Sequence, residues 1–211
     1  MLFRSLRWAN DKLWISKKDD QYKENALAFY KDKTLLRIHK FLEKYNLKDE
    51  FDVINGTLVP SMETLLEMVD FDSIIGPDPT GFHGDFILDN IIETEDGFCL
   101  IDWRQDFAGD LEIGDMYYDL AKLNHNLTVN HDIVSKNLFS PSSDNCYILT
   151  NSTLNECKIE LESFIKENSY DIKKVNILTS LIWINMAPLH EYPFNNFLFN
   201  FGKYNLFKQL K

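Results

Sequence analysis

The chain has 211 residues with 22 Lys and Arg against 33 Asp and Glu, a net charge of −11, so phosphate backbones and anionic lipid would repel it. Neither nucleic acid nor a membrane surface is an expected partner. At 45% hydrophobic and 14% aromatic residues it is too apolar for disorder, and its length suffices to bury roughly 70% of the unfolded surface. The N-terminus, Met1 to Asp11, is broken by charge before a signal-peptide core develops, so a cytoplasmic setting is expected. Gln21 to Asn46 spaces Ala28, Phe29, Leu35, Leu36, Ile38, Phe41, Leu42 and Tyr45 as a helix, with Asp32 as the cap of a second segment. Pro60-Ser61 opens a short helix with Leu65, Leu66 and Met68, and residues 75–80 are turn chemistry. Phe86 to Thr94 and Phe98 to Ile101, separated by Glu95-Asp96-Gly97, read as a hairpin.

After Asp102 comes a polar loop, then helices from Asp115 to His125, Ser152 to Ser169 and Ile172 to Leu189. The least charged stretch, Val175 to Leu189, is too short to span a bilayer and reads as a buried helix. Residues 138–151 look irregular, with a short strand at 147–150. His125 and His131 are assigned to an exposed helix end and a loop. The cysteines, Cys99, Cys146 and Cys157, form no C-x-x-C pair and read as reduced, buried thiols. The pattern predicts a mainly α protein with one small β-hairpin, of α+β class, with residues 1–20 as an N-terminal extension or remnant ahead of a unit spanning 21–211.

The chemistry concentrates in two loops, 81–90 and 100–109. Gly81-Phe-His-Gly-Asp-Phe-Ile-Leu-Asp-Asn90 and Leu100-Ile-Asp-Trp103 place the oxygen side chains of Asp85, Asn90 and Asp102 at the two ends of the hairpin. Such a set suits phosphoryl transfer, in which one carboxylate accepts the proton of an attacking hydroxyl while Asn and a second Asp hold Mg²⁺ against phosphates. Gly109-Asp-Leu-Glu-Ile-Gly114 mimics P-loop glycine spacing, but Asp115-Met116 stands where Lys-Ser/Thr is required, and a carboxylate there repels phosphate.

His83-Gly-Asp85-x₄-Asn90, the hairpin, Ile101-Asp-Trp103 and Gly114-Asp-Met-Tyr-Tyr-Asp119-Leu-Ala121 together resemble the aminoglycoside phosphotransferase and choline kinase family of protein-kinase-like small-molecule kinases. The resemblance implies Asp85 as catalytic base with His83 ordering its loop, and Asn90 and Asp102 as Mg²⁺ ligands. It further implies Gly84, Asp115 and Asp119 as supports of the loop, and ATP as phosphoryl donor. The acceptor would be a hydroxyl of a small molecule such as a sugar or an amino alcohol. Choline kinases are similar in using late helical aromatics for a cationic substrate, which makes Trp103, Trp183 and Tyr192 candidate substrate contacts, although by default the aromatic run 192–207 is core.

The family's N-terminal lobe, a five-stranded sheet with a glycine-rich nucleotide loop and a lysine, does not fit ahead of His83. The helical segments occupy most of those residues, and no glycine precedes Gly56. The expected architecture is therefore the large C-terminal lobe alone. Half of the nucleotide pocket would then fall to a second chain or a homodimer partner. The alternative function is a non-catalytic kinase-like lobe acting as a binding or assembly module, and a metal-dependent phosphoesterase on the same carboxylates is a more distant one.

Overall fold

The structure, a computed structural model, describes residues 2–211. Helix α1 (Leu2–Lys12) is followed by a helical rod made of α2 (Tyr22–Leu27), a π-helical turn (Ala28–Asp32) and α3 (Lys33–Lys44). Strands β1 (Asp52–Ile54) and β2 (Thr57–Val59) precede two short helices, α4 (Met62–Met68) and α5 (Phe71–Ile74). Strands β3 (Ile91–Thr94) and β4 (Gly97–Leu100) flank the two chemical loops, and α6 (Met116–Thr128) and α7 (His131–Ser135) follow. A minimal pair, β5 (Phe139–Ser140) and β6 (Tyr147–Ile148), leads into α8 (Ser152–Glu167), α9 (Ile172–Met186) and α10 (Phe194–Leu210). Each strand pair is antiparallel and two-stranded. The fold is mainly α with small β elements, as the sequence predicts.

Helix α9 is apolar almost all round, and Val175, Ile177, Leu178, Leu181, Ile182, Trp183 and Ile184 are all buried. A helix of that kind must be central, and α9 packs against α10, α6 and α3. Each fully buried side chain of this size contributes about 1.5–3 kcal/mol. The close approach of α10 depends on Gly202, where a Cβ would lie 2.7 Å from Ile184 Cγ1. The late aromatics fill this core: Phe199 stacks on Phe41 with centroids 4.4 Å apart, and Phe201 lies 4.7 Å from the Trp183 ring. Residues at the start of the chain join the same core. Leu2, Leu6 and Ala9 line one face of α1, which packs against α8 and β4, and Trp14 is buried beyond it.

Several local expectations are corrected. Asp32 does not cap a second segment: its backbone is helical (φ −67°, ψ −42°) and the rod runs through it as the π turn. Residues 86–90 are not strand but an irregular turn ending in a 3₁₀ segment, so the hairpin begins at Ile91, which pairs with Leu100. A hairpin the sequence reading passed over, β1–β2, turns at Asn55-Gly56, where φ values of 51° and 71° fit the type I′ turn that Asn-Gly favours. His125 is buried rather than exposed, because α6 is enclosed on nearly all sides. Burial holds its pKa well below the ordinary value. Of the cysteines, Cys146 is buried, Cys157 is half-buried and Cys99 is exposed.

Candidate active site

The loop at 81–90 is suspended from α6. Asp115 caps that helix through the Tyr117 N–H (2.9 Å) and also accepts the Tyr30 hydroxyl and the Gly76 N–H, both at 2.9 Å. One turn on, the buried Asp119 accepts the backbone N–H groups of His83 (2.8 Å) and Gly84 (2.7 Å) and the Trp14 indole N–H (2.9 Å). Burial raises the Asp119 pKa to about 6, against the opposing pull of these donors. Gly84 has φ +79°, and a Cβ there would lie 2.4 Å from Arg104 Cβ, so this position needs glycine on two counts. The supporting roles implied for Gly84, Asp115 and Asp119 have these physical counterparts.

His83 points inward. Its Nε2 pairs with the Ile101 carbonyl (2.9 Å), and its Nδ1 accepts the Asp85 N–H at 3.2 Å, which fixes the Nε2–H tautomer. Burial lowers its pKa from the ordinary value. With both nitrogens engaged by backbone, His83 ties the two chemical loops together and is positioned for that role rather than for proton transfer. The Asp85 carboxylate is held by Lys122 Nζ at 2.6 Å, three residues beyond Asp119 on α6. Asn90 donates its side-chain amide to the Asp85 carbonyl (2.9 Å) and to Asp85 Oδ2 (3.3 Å), its backbone carbonyl accepts the Ile101 N–H (3.1 Å), and its side-chain Oδ1 has no intramolecular partner among the described residues.

Asp102 sits in the left-handed region at φ 56°, a conformation that Asp tolerates better than most residues. Its carboxylate makes no hydrogen bond or ion pair among the described residues. Asp85 and Asp102 open on one cleft of about 470 Å³, walled by Lys33 and Arg37 of α3, by Trp103, Arg104, Gln105 and Asp106, by Lys122, by Asn185 and Met186 at the end of α9, and by Leu189 and His190 just beyond it. Trp103 lines this cleft, its indole N–H donating to the Leu100 carbonyl at 3.0 Å. Trp183 and Tyr192 are not brought to it, since Trp183 is packed in the core and Tyr192 is exposed elsewhere.

A family model described as a phosphotransferase enzyme family matches residues 17–133, which include both chemical loops and α6. The chain belongs to this family. No curated protein and no solved structure matches it. The match places the chain, at a coarse level, with phosphotransferase-type kinases. No described helix is long and apolar enough to cross a membrane.

Among the described residues no three His, Cys, Asp or Glu side chains cluster as a metal site. Asn90 Oδ1 and the Asp102 carboxylate, each without a hydrogen-bond or ion-pair partner among the described residues, are oxygen donors of the type a Mg²⁺ ion takes, and of the two Asp102 lines the cleft. Lys122, Lys33, Arg37 and Arg104 are site residues the sequence reading missed. A usable signal existed for Lys122, since three residues after Asp119 on a helix is the same face.

Proposed function

We propose that this phosphotransferase moves the γ-phosphoryl group of ATP to a hydroxyl of a small molecule, with Asp85 as the base. The observation that carries this reading is the Asp85 carboxylate, fixed by Lys122 at 2.6 Å and opening on the cleft it shares with Asp102. The acceptor oxygen attacks phosphorus as the bond to the bridging oxygen of ADP breaks, and Asp85 takes the hydroxyl proton. Lys122 holds that carboxylate in one orientation, and the Asn90 amide steadies its other oxygen. Asn90 and Asp102 would hold Mg²⁺, which when bound neutralises charge on the phosphates.

The test is transfer from radiolabelled ATP to a panel of hydroxyl compounds with Mg²⁺. Asp85→Asn is expected to lose about 10²–10⁴-fold in kcat, and Asp102→Asn to lose activity and raise the Mg²⁺ requirement. Activity unchanged in both variants would refute the assignment. A second reading, a kinase-like lobe that binds a partner without catalysis, draws on the lack of any sheet larger than two strands among the described residues. Calorimetry showing no Mg²⁺-ATP binding, with a stable oligomer by sedimentation, would favour it.

A further inference from the structure

We propose that the acceptor is an anionic alcohol, its carboxylate or phosphate seated on Lys33, Arg37 and Arg104 while its hydroxyl faces Asp85. This rests on the kinase reading and names the substrate class. In a chain where acids outnumber bases 33 to 22, the cleft reverses the ratio, gathering Lys33, Arg37, Arg104 and Lys122 against Asp85, Asp102 and Asp106. Lys122 is committed to Asp85. On the kinase reading Asp102 would be taken up by Mg²⁺, and one oxygen of Asp106 accepts the Gly109 N–H at 2.8 Å. Lys33, Arg37 and Arg104 form no ion pair among the described residues.

Two of the three cations share one aromatic ring despite their repulsion, and Arg37 lines the same cleft. Lys33 Nζ lies 3.8 Å and Arg104 Cζ 4.9 Å from the centroid of one ring, Phe29. Burial, then Arg104, Arg37 and Lys122 in turn, push the Lys33 pKa down to about 7. Such crowding is costly unless an anion relieves it, and planar guanidinium groups match the geometry of carboxylate and phosphate. Lys33 and Arg37 are a helical i,i+4 pair beginning where the π turn ends, and π turns of this kind are frequent at functional sites. A cationic acceptor has less here to hold it: Asp85 is already paired with Lys122, and Trp103 is the one Phe, Tyr or Trp side chain of the wall among the described residues.

The test is calorimetry on the full chain without nucleotide, with sn-glycerol 3-phosphate, D-glycerate and inorganic phosphate as anionic probes, and glycerol and choline as neutral and cationic ones. At least one anionic probe is expected to bind tenfold or more tighter than glycerol or choline. Arg37→Gln and Arg104→Gln should each weaken that binding about tenfold or more, Arg37→Lys should restore part of it, and Lys40→Gln, on the exposed face of α3, should leave it unchanged. Circular dichroism checks that each variant is folded. Glycerol or choline binding as tightly as the anions, or no anion binding at millimolar concentration, overturns the proposal. So does displacement of the anion by ADP with Mg²⁺, which would assign the cations to the nucleotide. Anion binding together with unchanged ATP-dependent transfer in the Asp85→Asn and Asp102→Asn variants leaves the anion site standing and refutes the kinase reading instead.

Discussion

Lys33 carries the clearest tension between stability and use. Its ammonium is buried beside Arg104, Arg37 and Lys122, and its pKa falls from 10.5 to about 7. The folded protein therefore binds fewer protons than the unfolded chain between those values. The destabilisation is full below about pH 7 and is relieved as the pH rises toward 10.5, so stability should climb across that window. Lys33→Met, which keeps the stem and removes the charge, is expected to stabilise the protein by about 0.5–2 kcal/mol at pH 7 and to flatten the rise. Urea midpoints at pH 7 and pH 9.5 for the two proteins measure both effects. Identical pH profiles would mean that the lysine is not strained.

At the scale of elements, α6 and the loop it supports behave as one part. Asp119 accepts N–H groups at both oxygens, and an asparagine would turn an N–H toward at least one of them. Asp119→Asn is expected to cost about 2–3 kcal/mol and to lower kcat more than it raises KM, measured by denaturant titration and steady-state kinetics. An unchanged midpoint would show that the loop is held by other contacts. This element scale is also where the sequence was most readable. Helices α6 and α8 stand out because their apolar residues recur every three or four positions, α9 because it is the longest stretch with almost no charge, and the β3–β4 hairpin because its turn is polar and its strands are mostly apolar. The β1–β2 hairpin has three-residue strands, too short for an alternating pattern to register, although its Asn55-Gly56 turn was in plain view. Helix α1 is hard to read in the sequence because charges interrupt its apolar residues, which packing against α8 and β4 brings onto one face. Asp85, Asn90 and Asp102 lie within one motif and could be found together. The cations of the cleft come from α3, α6 and the loop after Asp102, and only folding brings them to one wall.

For the whole molecule, the sharpest question is whether the start of the chain is an appendage or part of the core. Leu6 is fully buried between α8 and the β3–β4 hairpin side of the molecule, and Trp14 reaches Asp119 from the same segment. Leu6→Ala should therefore cost about 2–5 kcal/mol and lower the midpoint of the entire unfolding transition, with tryptophan fluorescence and far-ultraviolet dichroism moving together. A separate early transition, with the main midpoint unchanged, would show that α1 unfolds alone. Charge is distributed unevenly on the same scale: an acidic exterior encloses a cleft whose α3 wall is cationic. The proposed base and the cationic wall are supported by different helices. Asp85 is positioned by Asp119 and Lys122 of α6, whereas Lys33 and Arg37 stand on α3. On the proposed function, acceptor preference is separable from proton transfer, and exchanging the two α3 side chains together with Arg104 is expected to retarget the cleft with Asp85 left in register.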